Sequence, residues 1–257
     1  MAGKVPDYEA AVTYWSSQPT TVDGMLGGYG RGRVPRLDIQ HSTLFVRQLV
    51  SAGQLRIASA TAPDRPRKRS RRDSFSSSSE GAKGDEDDGG LVRTVDCGAG
   101  IGRVTQDLLL GISDVVDLVE PCAPFTAEIR SCAGLQAARL AGQVGDVLTI
   151  GVQDFTPLPD RYTIVWNQWC LGQLSDPDLV AFLGRCKVAL KADKALIFVK
   201  ENIAQGEDVF DEQDSSWTRS EASFLRIFRE AGLKCVKSSL QHGFPKELYQ
   251  VKLWALR

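Results

Sequence analysis

The chain has 257 residues, 42% of them hydrophobic, enough for one large domain or two small ones with a sizeable core. Its 31 basic and 32 acidic residues leave a net charge of −1, which singles out no charged partner and averages over one strongly segregated segment. Only 2 histidines and 6 scattered cysteines, with no C-x-x-C pair, argue against a zinc site of ordinary ligand spacing.

Isolated cysteines suit a reducing compartment. The first ten residues, with Asp7 and Glu9, contain no apolar run of the kind a secretory leader needs. No apolar stretch approaches a membrane span, so a soluble intracellular protein without a membrane partner is expected.

In chain order, residues 7–15 are predicted to form a short helix with Tyr8, Val12 and Trp15 on one face. Residues 19–30, PTTVDGMLGGYG, place four glycines among the last seven positions. Two readings stand side by side: a flexible lead-in to the next helix, which spacing alone favours, or a shaped lid or cleft wall. A second helix is predicted over 38–52, with Ile39, Phe45, Val46, Leu49 and Val50 as its apolar set.

Composition then changes. A basic run from Arg65 to Arg72 is followed by serines at 74–79 and acids at 85–88, with almost nothing to bury. A disordered insertion is expected over 54–90. It would separate an N-terminal piece, 1–53, from a core, 91–257, the two forming one domain. The basic run reads as a nuclear localisation signal ahead of a plain solvated linker, and specific nucleic-acid binding ranks below both. Nucleus and cytoplasm are therefore the expected locations, and the serines are candidate phosphorylation sites.

After the insertion, strands are predicted at 92–97, 115–119, 146–151, 162–167, 195–199, 236–240 and 250–255. Helical stretches fall between them. One starts at 104. Another is capped by Asp176, with Pro177 at its first position and Leu179, Leu183, Cys186 and Leu190 on one face. A third opens on a capping box from Thr218 to Glu221 and ends near Gly232. Alternation closing on two adjacent strands predicts a Rossmann-like α/β sheet with one antiparallel edge.

The first strand runs into DCGAGIGR at 96–103, a strand, glycine turn and helix start. The spacing Gly98-x-Gly100-x-Gly102 differs from a dinucleotide G-x-G-x-x-G, and Arg103 takes the place of the third dinucleotide glycine. That disfavours a nicotinamide oxidoreductase. The D-x-G-x-G-x-G pattern is similar to that of S-adenosylmethionine-dependent methyltransferases, and the chemistry agrees. Backbone N–H groups and Arg103 suit the cofactor's carboxylate, the nearby Asp96 suits its ammonium, and Glu120, ending the second strand, suits both ribose hydroxyls.

Further stretches resemble one family, the protein N-terminal (α-amino) methyltransferases that act on Xaa-Pro-Lys/Arg N-termini. They are TYW at 13–15, TVDGMLGGYG at 21–30, QDFTP at 153–157, QW at 168–169, DSS at 214–216 and ALR at 255–257. The resemblance covers 13–257 apart from the insertion, and TVDGMLGGYG is its most specific part because general methyltransferases lack it. It implies a seven-stranded class I methyltransferase sheet with an N-terminal helical extension. It implies cofactor contacts from Gly98, Gly100, Gly102, Arg103, Glu120, Val152, Gln153 and Gln168. A peptide channel would be bordered by Trp15, Leu26 and Gly27. Trp169 would stack on the substrate proline, Asn202 would bond the first peptide carbonyl, and Asp211, Asp214 and Ser216 would form the acidic side. Asp214 is the chosen base for the α-amine.

One departure stands out. The family commonly has Gly-His-Leu where this chain has Gly172, Gln173 and Leu174, and glutamine cannot take a proton near neutral pH. A methyltransferase for a lysine or small-molecule amine, and a non-catalytic partner of a methyltransferase, are the alternatives kept open. The oligomeric state is left open too.

Overall fold

The structure is a computed structural model that describes residues 4–58 and 90–257. Seven strands form one sheet: β1 (Arg93–Cys97), β2 (Val115–Val119), β3 (Val144–Leu148), β4 (Ile164–Gln168), β5 (Leu196–Ile203) and, after a small hairpin numbered β6 and β7, β8 (Cys235–Leu240) and β9 (Gln250–Leu256). Their order is β3-β2-β1-β4-β5-β9-β8. The first five run parallel, and β9 lies antiparallel to both β5 and β8. This is the expected Rossmann-like sheet with an antiparallel edge. Strand order reverses between β1 and β4, and open α/β sheets place ligands at the carboxyl ends beside such a reversal.

The central strands are buried on both faces, which explains their near-continuous apolar runs. On one face, α7 (Asp176–Ala189) and α8 (Glu221–Glu230) bring Leu179, Phe182, Leu183, Phe224 and Phe228 against Val95, Val165 and Trp254. On the other, α3 (Val34–Ser51) packs Phe45, Val46 and Leu49 against Trp166 and Phe198. The N-terminal piece thus shares the core of 91–257.

Several boundaries move. Helix α3 starts four residues before the predicted position, with Pro35 in its first turn. The expected insertion does not begin at Gln54: Leu55 is buried, the Arg56 N–H bonds the Lys194 carbonyl at 3.0 Å, and the Ala58 N–H bonds the Ile112 carbonyl at 2.9 Å. The remainder of that expectation, with the basic run and the serines, lies outside the described residues. β3 begins two residues earlier than predicted and ends before 149, and β5 extends to Ile203.

The caps shift as well. Ser175, not Asp176, caps α7 by accepting from the Asp178 N–H, while Asp176 pairs with Arg219 and Arg226. Ser220 caps α8, because Thr218 belongs to a strand. Two pairs of elements have no counterpart among those expected from sequence: the hairpin of β6 (Val209–Asp211) and β7 (Ser216–Thr218), and the helix pair α5 (Ala123–Ser131) and α6 (Ala133–Leu140). Among the described residues no helix is long and apolar enough to cross a membrane.

Candidate active site

A cavity of about 390 Å³ opens at the carboxyl ends of β1, β2, β4 and β5. It is continuous from the glycine turn and Glu120 at one end to Trp169, Asn202, Asp214 and Ser216 at the other.

At the first end, Gly98 has φ 67°, and a Cβ there would lie 2.2 Å from the Cys170 Cβ. Any side chain would therefore collide with Cys170. The turn's amides are tied inward: Gly98 and Ala99 donate to the Val119 carbonyl at 2.8 and 3.1 Å, and Gly100 donates to Glu120 Oε2 at 2.8 Å. These N–H groups are thus not the free donors that the sequence suggested. Gly102 differs from its neighbours. It does not border the cavity, and a Cβ on it would press on Leu135 at 3.1 Å, so it serves helix–sheet packing before α4 (Arg103–Asp107).

Arg103 is 9% exposed and borders the cavity. Its Nη2 pairs with Asp38 Oδ2 at 2.8 Å, while its Nη1 is buried with no partner among the described residues. Asp38 also binds the Lys200 ammonium and the Gln168 amide nitrogen, which donates at 3.0 Å to each carboxylate oxygen. Burial works against its charge, yet Lys200 and Arg103 outweigh that and hold its pKa below the ordinary carboxylate value. Gln168, expected to reach the cofactor, borders the cavity but spends its amide on Asp38 and its oxygen on the Trp166 indole at 3.1 Å. Asp96 does not border the cavity. It accepts from the Thr105 hydroxyl at 2.7 Å, and burial raises it to about 7.

Glu120 caps its own turn, accepting from Gly100 and from the Cys122 N–H at 2.9 Å. Burial raises its pKa despite these donors. A carboxylate so fixed keeps lone pairs for a diol. Val152 and Gln153 line the same wall, and Arg185 holds their loop through the carbonyls of Phe155 at 2.9 Å and Gln153 at 2.7 Å. An orphaned guanidinium nitrogen, a side-chain-free turn and a fixed carboxylate fit the amino-acid, sulfonium and ribose parts of S-adenosylmethionine.

At the second end, Trp169 has a left-handed backbone, φ 54°, uncommon for a bulky residue. Glu201 stabilises the turn by accepting from the Cys170 and Leu171 N–H groups, both at 2.9 Å. Burial lifts the Glu201 carboxyl to about 7. The Trp169 indole nitrogen is buried without a partner among the described residues, and the Arg103 guanidinium lies 5.9 Å from the ring centroid.

Asp214 sits in the turn of the β6–β7 hairpin. Ser216 donates to it at 2.6 Å and Gln173 at 3.5 Å. Burial pushes its pKa up, the charge of Asp211 adds to this, and the two donors oppose it. Asp211 itself is exposed and outside the cavity lining, because it lies on the outward side of a three-residue strand. Arg219, almost fully buried, bonds the Leu171 carbonyl at 3.0 Å, the Leu174 carbonyl at 2.5 Å and Asp176 at 2.9 Å. It therefore ties the hairpin to the turn that carries Gln173.

The N-terminal helix α1 (Tyr8–Ser16) closes this end. The Asp7 N–H donates to Ser215 Oγ at 2.7 Å, and the Tyr8 hydroxyl bonds Asp178. Residues 21–30 are no loose lead-in. A one-turn helix α2 (Val22–Met25), capped by Thr21, is closed by Asp23 accepting from the Gly30 N–H at 2.9 Å. Trp15, Leu26 and Gly27 border the cavity. Asp38, Lys200, Glu201 and Tyr8 were not among the expected site residues. Asp38 and Lys200 had a signal, being charges on otherwise buried apolar faces.

A model of the family described as AdoMet dependent proline di-methyltransferase matches residues 4–62 and 81–257. The chain is 40% identical over 249 residues to alpha N-terminal protein methyltransferase 1 of Schizosaccharomyces pombe, covering 97% of this chain and 95% of that protein. It is 36% identical over 250 residues to N-terminal Xaa-Pro-Lys N-methyltransferase 1 of Danio rerio, with the same coverage. A solved SAM-dependent methyltransferase from Leishmania major superposes with a TM-score of 0.76 at 31% identity, covering 97% of this chain and 82% of that one. The chain belongs to the AdoMet-dependent proline di-methyltransferase family and is an S-adenosylmethionine-dependent methyltransferase.

Proposed function

We propose that this enzyme methylates the α-amine of protein N-termini that begin Xaa-Pro-Lys or Xaa-Pro-Arg. One observation carries the reading: a single cavity joins the glycine turn and Glu120 to Trp169, Asn202 and Asp214. The cofactor supplies a sulfonium-bound methyl group. The protein's own residues do the rest.

An α-amine has a solution pKa of roughly 7.7–8.0, so much of it carries a proton at neutral pH and lacks a lone pair. Asp214 takes that proton. Its raised pKa makes it a better base than an exposed carboxylate, and Ser216 fixes its orientation. Asn202 holds the amine through the adjoining carbonyl, and the Trp169 ring takes the proline. Trp15, Leu26 and Gly27 shield the reacting nitrogen from water. Near the mouth, Asp211 attracts the third-residue cation. Arg103 holds the cofactor's carboxylate and Glu120 its ribose, with Val152 and Gln153 along its base. Gln173 cannot act as a second base, so it orients Asp214 by donation.

The test is incubation with S-adenosylmethionine and two Xaa-Pro-Lys peptides, one with a free and one with a blocked α-amine. Mass increments of one to three methyl groups on the free peptide alone are expected. Methylation of the blocked peptide at its lysine would overturn the reading.

A nuclear as well as a cytoplasmic location is also proposed. The basic run from Arg65 to Arg72 supports it, and it falls in the stretch 63–80 that the family model leaves unmatched. Imaging a fluorescent fusion with the run's arginines and lysine changed to serine tests this, with loss of nuclear signal expected.

A further inference from the structure

The buried group around Asp38 contains one carboxylate and two cations, so one positive charge is in excess. Among the described residues, Arg103 Nη1 is the one buried side-chain nitrogen or oxygen of Asp38, Arg103, Gln168 and Lys200 without a partner. The Lys200 ammonium reaches the Asp38 carboxylate, the Asp38 carbonyl at 3.0 Å, Ser42 Oγ at 3.0 Å and Gln241 Oε1 at 3.1 Å, at least one acceptor for each of its three hydrogens. Asp38 Oδ1 accepts from Lys200 and Gln168, and Oδ2 from Arg103 and Gln168. The donor left over is Arg103 Nη1, at the cavity wall. A buried charge with an unfilled donor calls for an anion.

We propose that Asp38 is a positioning residue for the cofactor's carboxylate: by fixing Nη2 of Arg103, it aims Nη1 into the cavity to bind that group. This rests on the functional reading above. A guanidinium is planar, so anchoring one nitrogen sets the direction of the other. Asp96, the other acid beside Arg103, cannot substitute, because it bonds Thr105 and lies outside the cavity lining. The consequence is that a residue upstream of the segment at 59–89, on helix α3, governs a site otherwise built from the ends of β1 and β2.

The test uses two ligands in calorimetry. S-adenosylhomocysteine carries the amino-acid carboxylate; 5′-methylthioadenosine has the adenosine and thioether but no carboxylate. Asp38→Asn is expected to weaken S-adenosylhomocysteine roughly 10- to 100-fold, the worth of one hydrogen bond to a charged group, and to leave 5′-methylthioadenosine nearly unchanged. Because Asp38→Asn strips Lys200 of its counterion, Asp38→Asn/Lys200→Met is the second variant. It keeps the excess of one positive charge and removes only the anchor. Equal losses for both ligands would mean a merely structural role and overturn the proposal. So would unchanged or tightened S-adenosylhomocysteine binding in the folded variants. Failure of the wild-type enzyme to bind S-adenosylhomocysteine would instead overturn the functional reading itself.

Discussion

The two ends of the cavity are built differently. At the cofactor end, the working groups sit just past β2 and at the start of α4 and are held by buried partners: Arg103 by Asp38, Asp38 by Lys200, Glu120 by two amides. At the peptide end, Asp214 and Ser216 sit on a hairpin of two partly exposed three-residue strands, and Tyr8 and Asp7 brace that side from a separate piece of chain. A cofactor common to all turnovers is met by a rigid cradle. A variable peptide is met by small elements tied together through side chains such as Arg219.

The comparison predicts separable failures. The largest is at the peptide end. Asp214→Asn should lower kcat/KM by about 10²- to 10⁴-fold at neutral pH, the usual worth of a general base. S-adenosylhomocysteine affinity should stay intact. The residual rate should climb as pH rises through the amine's own pKa, near ~7.7–8.0, because the neutral amine then needs no base. A variant of near-normal turnover would remove Asp214 from the mechanism.

Gly98→Ala should fail the other way. The added Cβ meets Cys170 in a left-handed backbone position, so cofactor affinity and Tm should both fall, the backbone alone contributing ~1–2 kcal/mol. Unaltered S-adenosylhomocysteine binding by calorimetry would refute the close approach.

Smaller effects sharpen the distinction. Tyr8→Phe removes the bond to Asp178, worth ~1.5–3 kcal/mol for a charged acceptor. It should raise the peptide KM while leaving the cofactor's KM alone, which steady-state kinetics resolves. The smallest is a pH effect on stability. Glu201 and Asp96 both have folded pKa values raised to about 7 by burial, above their unfolded carboxylate values. Each therefore contributes stability that is complete in acid and lost as pH rises through about 7. Glu201→Gln should flatten the decline of Tm between roughly pH 4.5 and 7. An unchanged slope in a thermal melt series would mean that Glu201 is not the titrating group.

How much was legible in the sequence follows the same division. The glycine turn was readable because β1 runs straight into Gly98, Gly100 and Gly102, and β2 because four of its five residues are apolar. The hairpin was not, because three-residue strands with exposed positions carry no period to detect. Asp176 looked like a cap from its place before Pro177, but Ser175 won that role since two arginines claim the Asp176 carboxylate. Asp38 was overlooked although Val34, Asp38, Ser42, Phe45 and Leu49 fall on one buried helix face, where a charge demands a partner. That partner lies 162 residues away, beyond any local pattern. Gln168 and Gly102 show the converse: the motif found them, but their atoms are committed to neighbours in the fold.

That separation of 162 residues has a consequence for how the enzyme is made. At ~5–20 residues per second on the ribosome, Lys200 follows Asp38 by roughly 8–32 s. Throughout that interval helix α3 carries an acid on its apolar face with no lysine to meet it, and the sheet face that it will cover is still incomplete. The Asp38–Lys200 pair therefore cannot close until β5 is synthesised, well after Arg103, the other cation that Asp38 holds.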